Sequence, residues 1–152
     1  MQSVRRYFLP GFAAAAVFFA ATAMANNHYD LNGVWRLIPA RSDFAGQPVI
    51  ETGTVTIHDR QHNIYIERSF GYDGTKQSYS YSFATDGREN STIRNESGGK
   101  TKAKWEGDTL VVKTTQGGLT TVEQFRLMPD GTMQLIVDRP EHAPVTLFFQ
   151  HQ

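Results

Sequence analysis

Closely spaced turn signals most constrain the fold of this chain. Pairs of turn-forming residues recur at Asp73-Gly74, Asp86-Gly87, Gly98-Gly99, Gly107-Asp108, Gly117-Gly118 and Asp130-Gly131. The Asp-Gly pairs supply the left-handed backbone positions that tight hairpin turns require. Connections this short leave no room for a crossover helix, so consecutive strands must be antiparallel.

Short runs rich in Val, Ile, Thr, Tyr and Phe fill the intervals between these turns. They predict strands at Gly33–Ile38, Thr52–His58, Asn63–Arg68, Gln77–Ala84, Ser91–Arg94, Thr101–Glu106, Thr109–Thr115, Thr120–Met128, Thr132–Asp138 and Val145–Gln150. Beyond residue 25, no window of helical length has a 3.6-residue apolar period, and at most Pro39–Phe44 forms one helical turn. The sequence therefore predicts an all-β, antiparallel up-and-down meander of about eight to ten strands, closed into a barrel that removes its edges.

Side-chain alternation assigns the two faces of these strands. Tyr79, Tyr81 and Phe83 share one face, while the intervening serines share the other. Similar apolar stripes occur at Val55/Ile57, Ile64/Ile66, Leu110/Val112, Met133/Leu135/Val137 and Val145/Leu147/Phe149. We expect all of them to face one interior, which in a barrel of this size is either filled or holds one small ligand.

The first 25 residues have the pattern of a cleavable export signal. Arg5 and Arg6 precede the uncharged segment 11–21, and Ala23-Met24-Ala25 provides small residues for a signal peptidase. The apolar stretch is short for a membrane span, which needs about 20 residues. We therefore divide the chain into a signal peptide, 1–25, and one mature domain, 26–152, in the periplasm or secreted from a bacterium.

Two export routes remain open. Arg5-Arg6-Tyr7-Phe8-Leu9 fits the core of a twin-arginine signal, which exports folded proteins. Two adjacent arginines also supply the positive charge of an ordinary Sec signal.

Composition excludes several classes of function. Without Arg5 and Arg6, 13 basic residues face 15 acidic ones, so nothing predicts binding to nucleic acid or to an anionic membrane. The chain has no cysteine, which excludes disulfides, thiol catalysis and thiolate metal sites. After signal cleavage we expect no membrane span.

The segment Leu31-Asn32-Gly33-Val34-Trp35 carries a family resemblance. A Gly-x-Trp at the start of the first strand of a meandering barrel resembles the lipocalin and wider calycin pattern. Segments 85–89, 104–110 and 127–133 look like those of small exported bacterial lipocalin-like proteins, which are mostly uncharacterised. The resemblance implies a barrel with Trp35 packed across its closed end and a role in binding small apolar molecules.

The chain departs from that pattern in three respects. It has no cysteine, so the usual lipocalin disulfide is absent. Thr85-Asp86 is followed by Gly87 where lipocalins have a tyrosine. The last predicted strand, Val145–Gln150, lacks the arginine that stacks on the tryptophan in lipocalins. The resemblance would then require Arg126 or Arg139 to take that place.

The aromatic stripe is the candidate ligand site. Tyr79, Tyr81 and Phe83, with Trp105 and Phe125, would line an apolar cavity in which tyrosine hydroxyls provide the polar contacts. Alternatively, the same side chains fill the interior. Alternation places Glu123 with Phe125, which makes it a candidate inward carboxylate. The favoured interpretation is that Glu123 lies at the barrel mouth in water, because charged residues are rarely buried unpaired.

No pattern predicts an enzyme or a cofactor. The sequence lacks Gly-x-Ser-x-Gly and shows no recognisable acid–base pair. His58 and His62 flank a predicted turn and could face one another on adjacent strands, but with no third ligand nearby the sequence predicts no metal site and favours two solvated histidines. Lys100, Lys102 and Lys104 alternate on what we expect to be a solvated outer face.

Two functions of different classes follow, and a third, an enzyme, would rest only on an inward Glu123 and on the His58/His62 pair. The first is an exported module that binds a small apolar or amphipathic ligand inside the barrel. The alternative is a protein-interaction or inhibitor domain that contacts a partner in the cell envelope through the barrel-end loops Phe70–Lys76 and Asp138–Pro144.

The proposed export signal predicts where the mature protein begins. We expect the exported protein to begin at Asn26, as N-terminal sequencing and intact mass would show. If the twin-arginine route is used, replacing both Arg5 and Arg6 with Lys abolishes export, whereas a Sec signal tolerates the change because its positive charge is kept. A full-length chain that remains in the cytoplasm would contradict both routes.

Overall fold

The structure is a computed structural model that describes residues 30–94 and 97–152. The predicted signal segment and the predicted start of the mature chain lie outside these residues. The described chain forms ten strands: β1 Gly33–Leu37, β2 Thr52–Arg60, β3 Asn63–Tyr72, β4 Thr75–Ala84, β5 Asp86–Arg94, β6 Ser97–Glu106, β7 Thr109–Gln116, β8 Leu119–Leu127, β9 Met133–Asp138 and β10 Val145–His151. The helical element in these ranges is a 3-10 turn at Pro39–Arg41, and no helix there is long and apolar enough to cross a bilayer.

The ten strands form one antiparallel sheet in the order β4-β3-β2-β1-β10-β9-β8-β7-β6-β5. All neighbours in this order except β1 and β10 are consecutive in sequence. β1 pairs with β10, with Trp35 opposite His151 and Leu37 opposite Phe149, so the first and last of the ten strands are neighbours in the sheet. The predicted all-β antiparallel meander is confirmed.

The structure corrects the prediction at β5. The predicted strand Ser91–Arg94 is the second half of a strand that begins at Asp86, and the pairing register shifts between Asp86 and Glu89. Asp86-Gly87 therefore lies within the start of β5 rather than between two paired strands. The sequence missed this half because residues 86–90 are polar throughout and carry no alternating apolar pattern.

Closure is incomplete between β4 and β5. In the part of the chain that the structure describes, no ladder of backbone hydrogen bonds joins these strands. They stay close through contacts such as Thr92 Oγ1 to the carbonyl of Ser82, at 3.4 Å. The barrel is thus nearly closed, and the expectation that closure removes every edge is met everywhere except at this seam.

The predicted apolar stripes form the core of the barrel. Buried positions alternate along the strands, as the pattern of β2 and β3 shows. The stripes supply most of the buried apolar side chains, among them Val55, Ile57, Ile64, Ile66, Leu110, Val112, Met133, Leu135, Val145, Leu147 and Phe149. Burial of these side chains provides the main driving force for folding.

One end of the barrel is closed by Trp35. Its ring is 2% exposed, and its Nε1 donates to the carbonyl of Leu31 at 2.9 Å. The edge of the ring meets His151, with ring centroids 4.9 Å apart. The expected substitution by Arg126 or Arg139 is wrong, because Arg126 pairs with Asp108 and Arg139 follows β9 at the opposite end.

The opposite end of the barrel is its mouth. Among the described residues, the mouth consists of segment 38–51, the turns at 73–74 and 117–118, and the loop at 139–144. Segment 38–51 is fixed to β10 by two backbone hydrogen bonds between Asp43 and Thr146, and Gln47 Nε2 donates to the carbonyl of Ala143 at 3.0 Å. These contacts hold the segment against the end of the barrel.

Candidate functional site

A cavity of about 720 Å³ lies at the mouth. Ligand pockets in proteins typically have volumes of about 300–1,000 Å³, so this one has room for a small molecule. Several of its lining residues are exposed, so the cavity opens to the surface. The cavity is lined by Phe44, Gln47, Pro48, Ile50, Arg68, Phe70, Tyr72, Gln77, Tyr79, Gln116, Thr121, Glu123, Val137, Arg139, His142, Val145 and Leu147.

Arg68 occupies an inward position of β3. Ile64, Ile66 and Phe70 lie on the same face of the strand, and all three are buried. Because side chains two residues apart point to the same face, this register directs Arg68 into the barrel. Arg68 is 2% exposed, and the cost of burying its charge requires a partner.

Glu123 of β8 provides that partner. Its Oε1 lies 2.5 Å from Nη1 of Arg68, and Glu123 is 1% exposed. The favoured interpretation of Glu123 as a mouth residue in water is therefore wrong. Glu123 is buried because Arg68, from a strand on another wall of the barrel, compensates its charge.

Two tyrosines from β4 complete the arrangement, which we call the charged cluster: Arg68, Tyr79, Tyr81 and Glu123. Arg68 donates from Nη1 to the hydroxyl of Tyr79 at 3.2 Å and from Nη2 to that of Tyr81 at 2.8 Å. Tyr81 in turn donates to Oε2 of Glu123 at 2.8 Å. The cluster joins a cation, an anion and two phenols in one network, which can orient a polar group of a ligand.

The guanidinium group of Arg68 also contacts aromatic faces. Its Cζ lies 5.4 to 5.8 Å from the ring centroids of Tyr79, Tyr81 and Phe125, within the range of cation–π attraction. Its Nε is buried and donates to no residue that the structure describes.

The cluster keeps Arg68 charged. Burial by itself lowers the pKa of Arg68, but the attraction of Glu123, followed by that of the two tyrosines, outweighs it and raises the pKa well above its ordinary value. The cavity wall therefore carries a permanent cation beside the carboxylate of Glu123.

The structure separates the six predicted site residues into three groups. Tyr79 and Glu123 line the cavity. Tyr81 belongs to the charged cluster but not to the lining. Phe83 and Phe125 are buried in the apolar core, and Trp105 packs against that core from a partly buried position. The aromatic stripe thus contributes one wall residue rather than the whole lining.

Sequence reasoning missed Arg68 and the loop side of the cavity. The signal for Arg68 was present, because Ile64, Ile66 and Arg68 are spaced two residues apart in one predicted strand. Phe44 and Ile50 gave no such signal, since segment 38–51 has no strand periodicity and its position depends on contacts with β10.

The two histidines of the metal hypothesis lie on the outside of the barrel. His58 is opposite Tyr65 in the β2–β3 ladder and stacks on its ring, whereas His62 lies in the turn itself. They do not face one another, because Gln61-His62 forms the turn that was expected at 59–61. Within 30–94 and 97–152, no three His, Cys, Asp or Glu side chains are grouped as metal ligands.

The three lysines of β6 project from the outer surface. The Nζ atoms of Lys100 and Lys102 lie 2.8 Å and 4.0 Å from carboxylate oxygens of Glu89. The Nζ of Lys104 lies 2.8 Å from Oε1 of Glu106. The hydrogen bond from Lys100 lowers the pKa of Glu89. Exposed pairs of this kind add little stability.

Known proteins resemble this chain in fold rather than in sequence. No protein-family profile matches the chain, and neither does any curated protein. Among solved structures, the fluorescent protein UnaG superposes with a TM-score of 0.65 at 16% identity, covering 80% of this chain and 97% of its own. Secretory abundant heat soluble protein 4 from Ramazzottius varieornatus gives 0.60 at 12% identity, covering 80% of this chain and 94% of its own.

A mutant of the REP1-NXSQ fatty acid transporter is similar to the same degree. It superposes with a TM-score of 0.59 at 18% identity, covering 81% of this chain and 98% of its own. At such low identities these likenesses establish the fold alone. They support the lipocalin-like barrel that the Gly33-Val34-Trp35 segment implied.

The burial of the charged cluster makes a prediction for stability. Glu123→Leu should lower the free energy of unfolding by about 3–5 kcal/mol, because it leaves the charge of Arg68 buried without compensation. The double variant Arg68→Met/Glu123→Leu should recover most of that loss, since neither charge remains. Urea unfolding of the three proteins measures both effects.

Glu67→Leu is the matched control. Glu67 is exposed on the outer face of β3, next to Arg68 in sequence, and its replacement should change the free energy of unfolding by less than about 0.5 kcal/mol. Equal costs for Glu123→Leu and the double variant would contradict the buried pair.

Proposed function

We propose that this chain is an exported bacterial protein that binds a small apolar or amphipathic molecule in the cavity at the barrel mouth. The cavity is the observation that carries the proposal. It combines a volume suited to one small ligand with an accessible mouth and a polar wall.

The lining has the composition that such a ligand requires. Apolar side chains from segment 38–51, β3, β9 and β10 form much of the wall: Phe44, Ile50, Phe70, Val137, Val145 and Leu147. Arg68 and Glu123 add a buried polar region, and Gln77, Arg139 and His142 are exposed at the rim. An amphipathic molecule could place its apolar part against the first group and its polar group near the second.

The structural neighbours support this proposal only as a class of function, the binding of small molecules. REP1-NXSQ is a fatty acid transporter by name, and its barrel covers four-fifths of this chain. The charged cluster adds to the argument for binding over catalysis, because its tyrosine and arginine donors hold the carboxylate in place within a network. We therefore propose a carrier or sensor of small molecules rather than an enzyme.

The exposed mouth favours a second candidate, a protein-interaction domain. Val49 is 55% exposed in segment 38–51, and Leu119 is 63% exposed beside the turn at 117–118. Of the two predicted contact loops, Asp138–Pro144 lies at the mouth and is exposed. Phe70–Lys76 consists mostly of strand ends, and Phe70 itself lines the cavity. A partner in the cell envelope would therefore dock at the mouth.

Filling the cavity separates the two functions. Thr121 lines the cavity, whereas its neighbour Thr120 is exposed and absent from the lining. We expect Thr121→Trp to weaken the binding of an uncharged fluorescent apolar probe, such as Nile red, by at least about tenfold, because the indole occupies the ligand volume. Thr120→Trp should leave the affinity within about twofold.

Fluorescence titration of the purified full chain after processing measures these affinities. If the wild-type protein takes up no apolar probe and native mass spectrometry finds only the bare chain, ligand binding is excluded. Equal affinities for the two tryptophan variants would place the bound probe outside this cavity.

A further inference from the structure

We infer that the cavity selects ligands whose polar group is uncharged, and that the Arg68–Glu123 pair determines this selectivity. The inference rests on the proposed binding function and names the class of ligand. A buried arginine by itself would attract anions. Here the carboxylate of Glu123 is in contact with the arginine and cancels its charge.

The charges of the inner wall cancel. Arg68 and Glu123 are both buried, and Nη1 of Arg68 lies 2.5 Å from Oε1 of Glu123. The other basic residues of the described lining, Arg139 and His142, are exposed at the rim. Arg139 also donates to Gln47 across the mouth. A ligand that enters below the rim therefore meets a wall with no net charge.

A ligand carboxylate gains little from such a wall. Any position close enough to bind the Arg68 guanidinium is also close to Glu123, because the two side chains are in direct contact. Attraction to one is opposed by repulsion from the other, while the carboxylate still loses its hydration. The same argument with the signs reversed applies to a ligand ammonium group.

An uncharged oxygen acceptor is better matched to the wall. Nη1 of Arg68 donates to Glu123 and Tyr79, and Nη2 donates to Tyr81. Nε is buried with no acceptor among the described residues, and a buried donor without an acceptor is unfavourable. The hydroxyl or carbonyl oxygen of an alcohol, ester or amide can lie against this wall without bringing a charge that one member of the pair repels.

The test compares three ligands of one chain length: a long-chain alcohol, the corresponding carboxylate and the corresponding amine. Each displaces the fluorescent apolar probe from the wild-type protein at neutral pH, where the carboxylate and the amine are charged. We expect the alcohol to displace the probe at a concentration at least about tenfold lower than either charged ligand. Displacement by the carboxylate at the same or a lower concentration would overturn the inference.

Variants of the pair show whether it sets the preference. Glu123→Gln leaves Arg68 uncompensated and should shift the preference toward the carboxylate by at least about tenfold, and Arg68→Gln should shift it toward the amine. The double variant Arg68→Gln/Glu123→Gln has no charge to compensate and should keep the preference for the alcohol. Unchanged preferences in both single variants would show that the pair does not govern selectivity.

The outcomes distinguish the inference from the function on which it rests. If no ligand displaces the probe and the probe itself does not bind, the proposed binding function fails. If ligands bind but the carboxylate is preferred, only the inference fails. Should the single variants not fold, as circular dichroism would reveal, the comparison of the three ligands on the wild-type protein still decides.

Discussion

The pairing of Arg68 with Glu123 is the interaction around which the interior of this barrel is organised. It joins β3 and β8, which are five places apart in the sheet order and are not neighbours. Two charges buried in an apolar interior are tolerated only when each compensates the other and further hydrogen bonds satisfy both. Tyr79 and Tyr81 provide those bonds from β4, so three strands meet at one polar point inside the barrel.

This polar point divides the interior into two regions. Toward the closed end, Trp35 and the inward stripes form a filled apolar core, as expected for a barrel of this size. Toward the mouth, the wall opens into the cavity, and segment 38–51 borders it. The two alternatives drawn from the aromatic stripe, a filled interior and a lined cavity, therefore both apply, each to a different part of the barrel.

Local pattern predicted the fold well because the forces that decide it are local in sequence. Tight turns and period-two alternation located at least part of each of the ten strands and the inward faces of β2, β3, β4, β7, β9 and β10. The Gly33-Val34-Trp35 segment indicated the closed end. The pattern failed where pairing across the barrel decides. The residues near Glu123 in sequence do not show that it pairs with Arg68, and the polar residues 86–90 have no strand pattern. The position of Phe44 depends on contacts between segment 38–51 and β10.

Arg68 is buried beside Glu123, and we propose that it takes part in ligand binding. Nuclear magnetic resonance of the Arg68 side chain tests it most directly, with Arg68→Lys used to assign the signal. We expect the Nε–H of Arg68 to exchange slowly with water and its resonance to move when the long-chain alcohol is added. A rapidly exchanging Nε–H, or one that does not respond while the alcohol binds, would contradict the account.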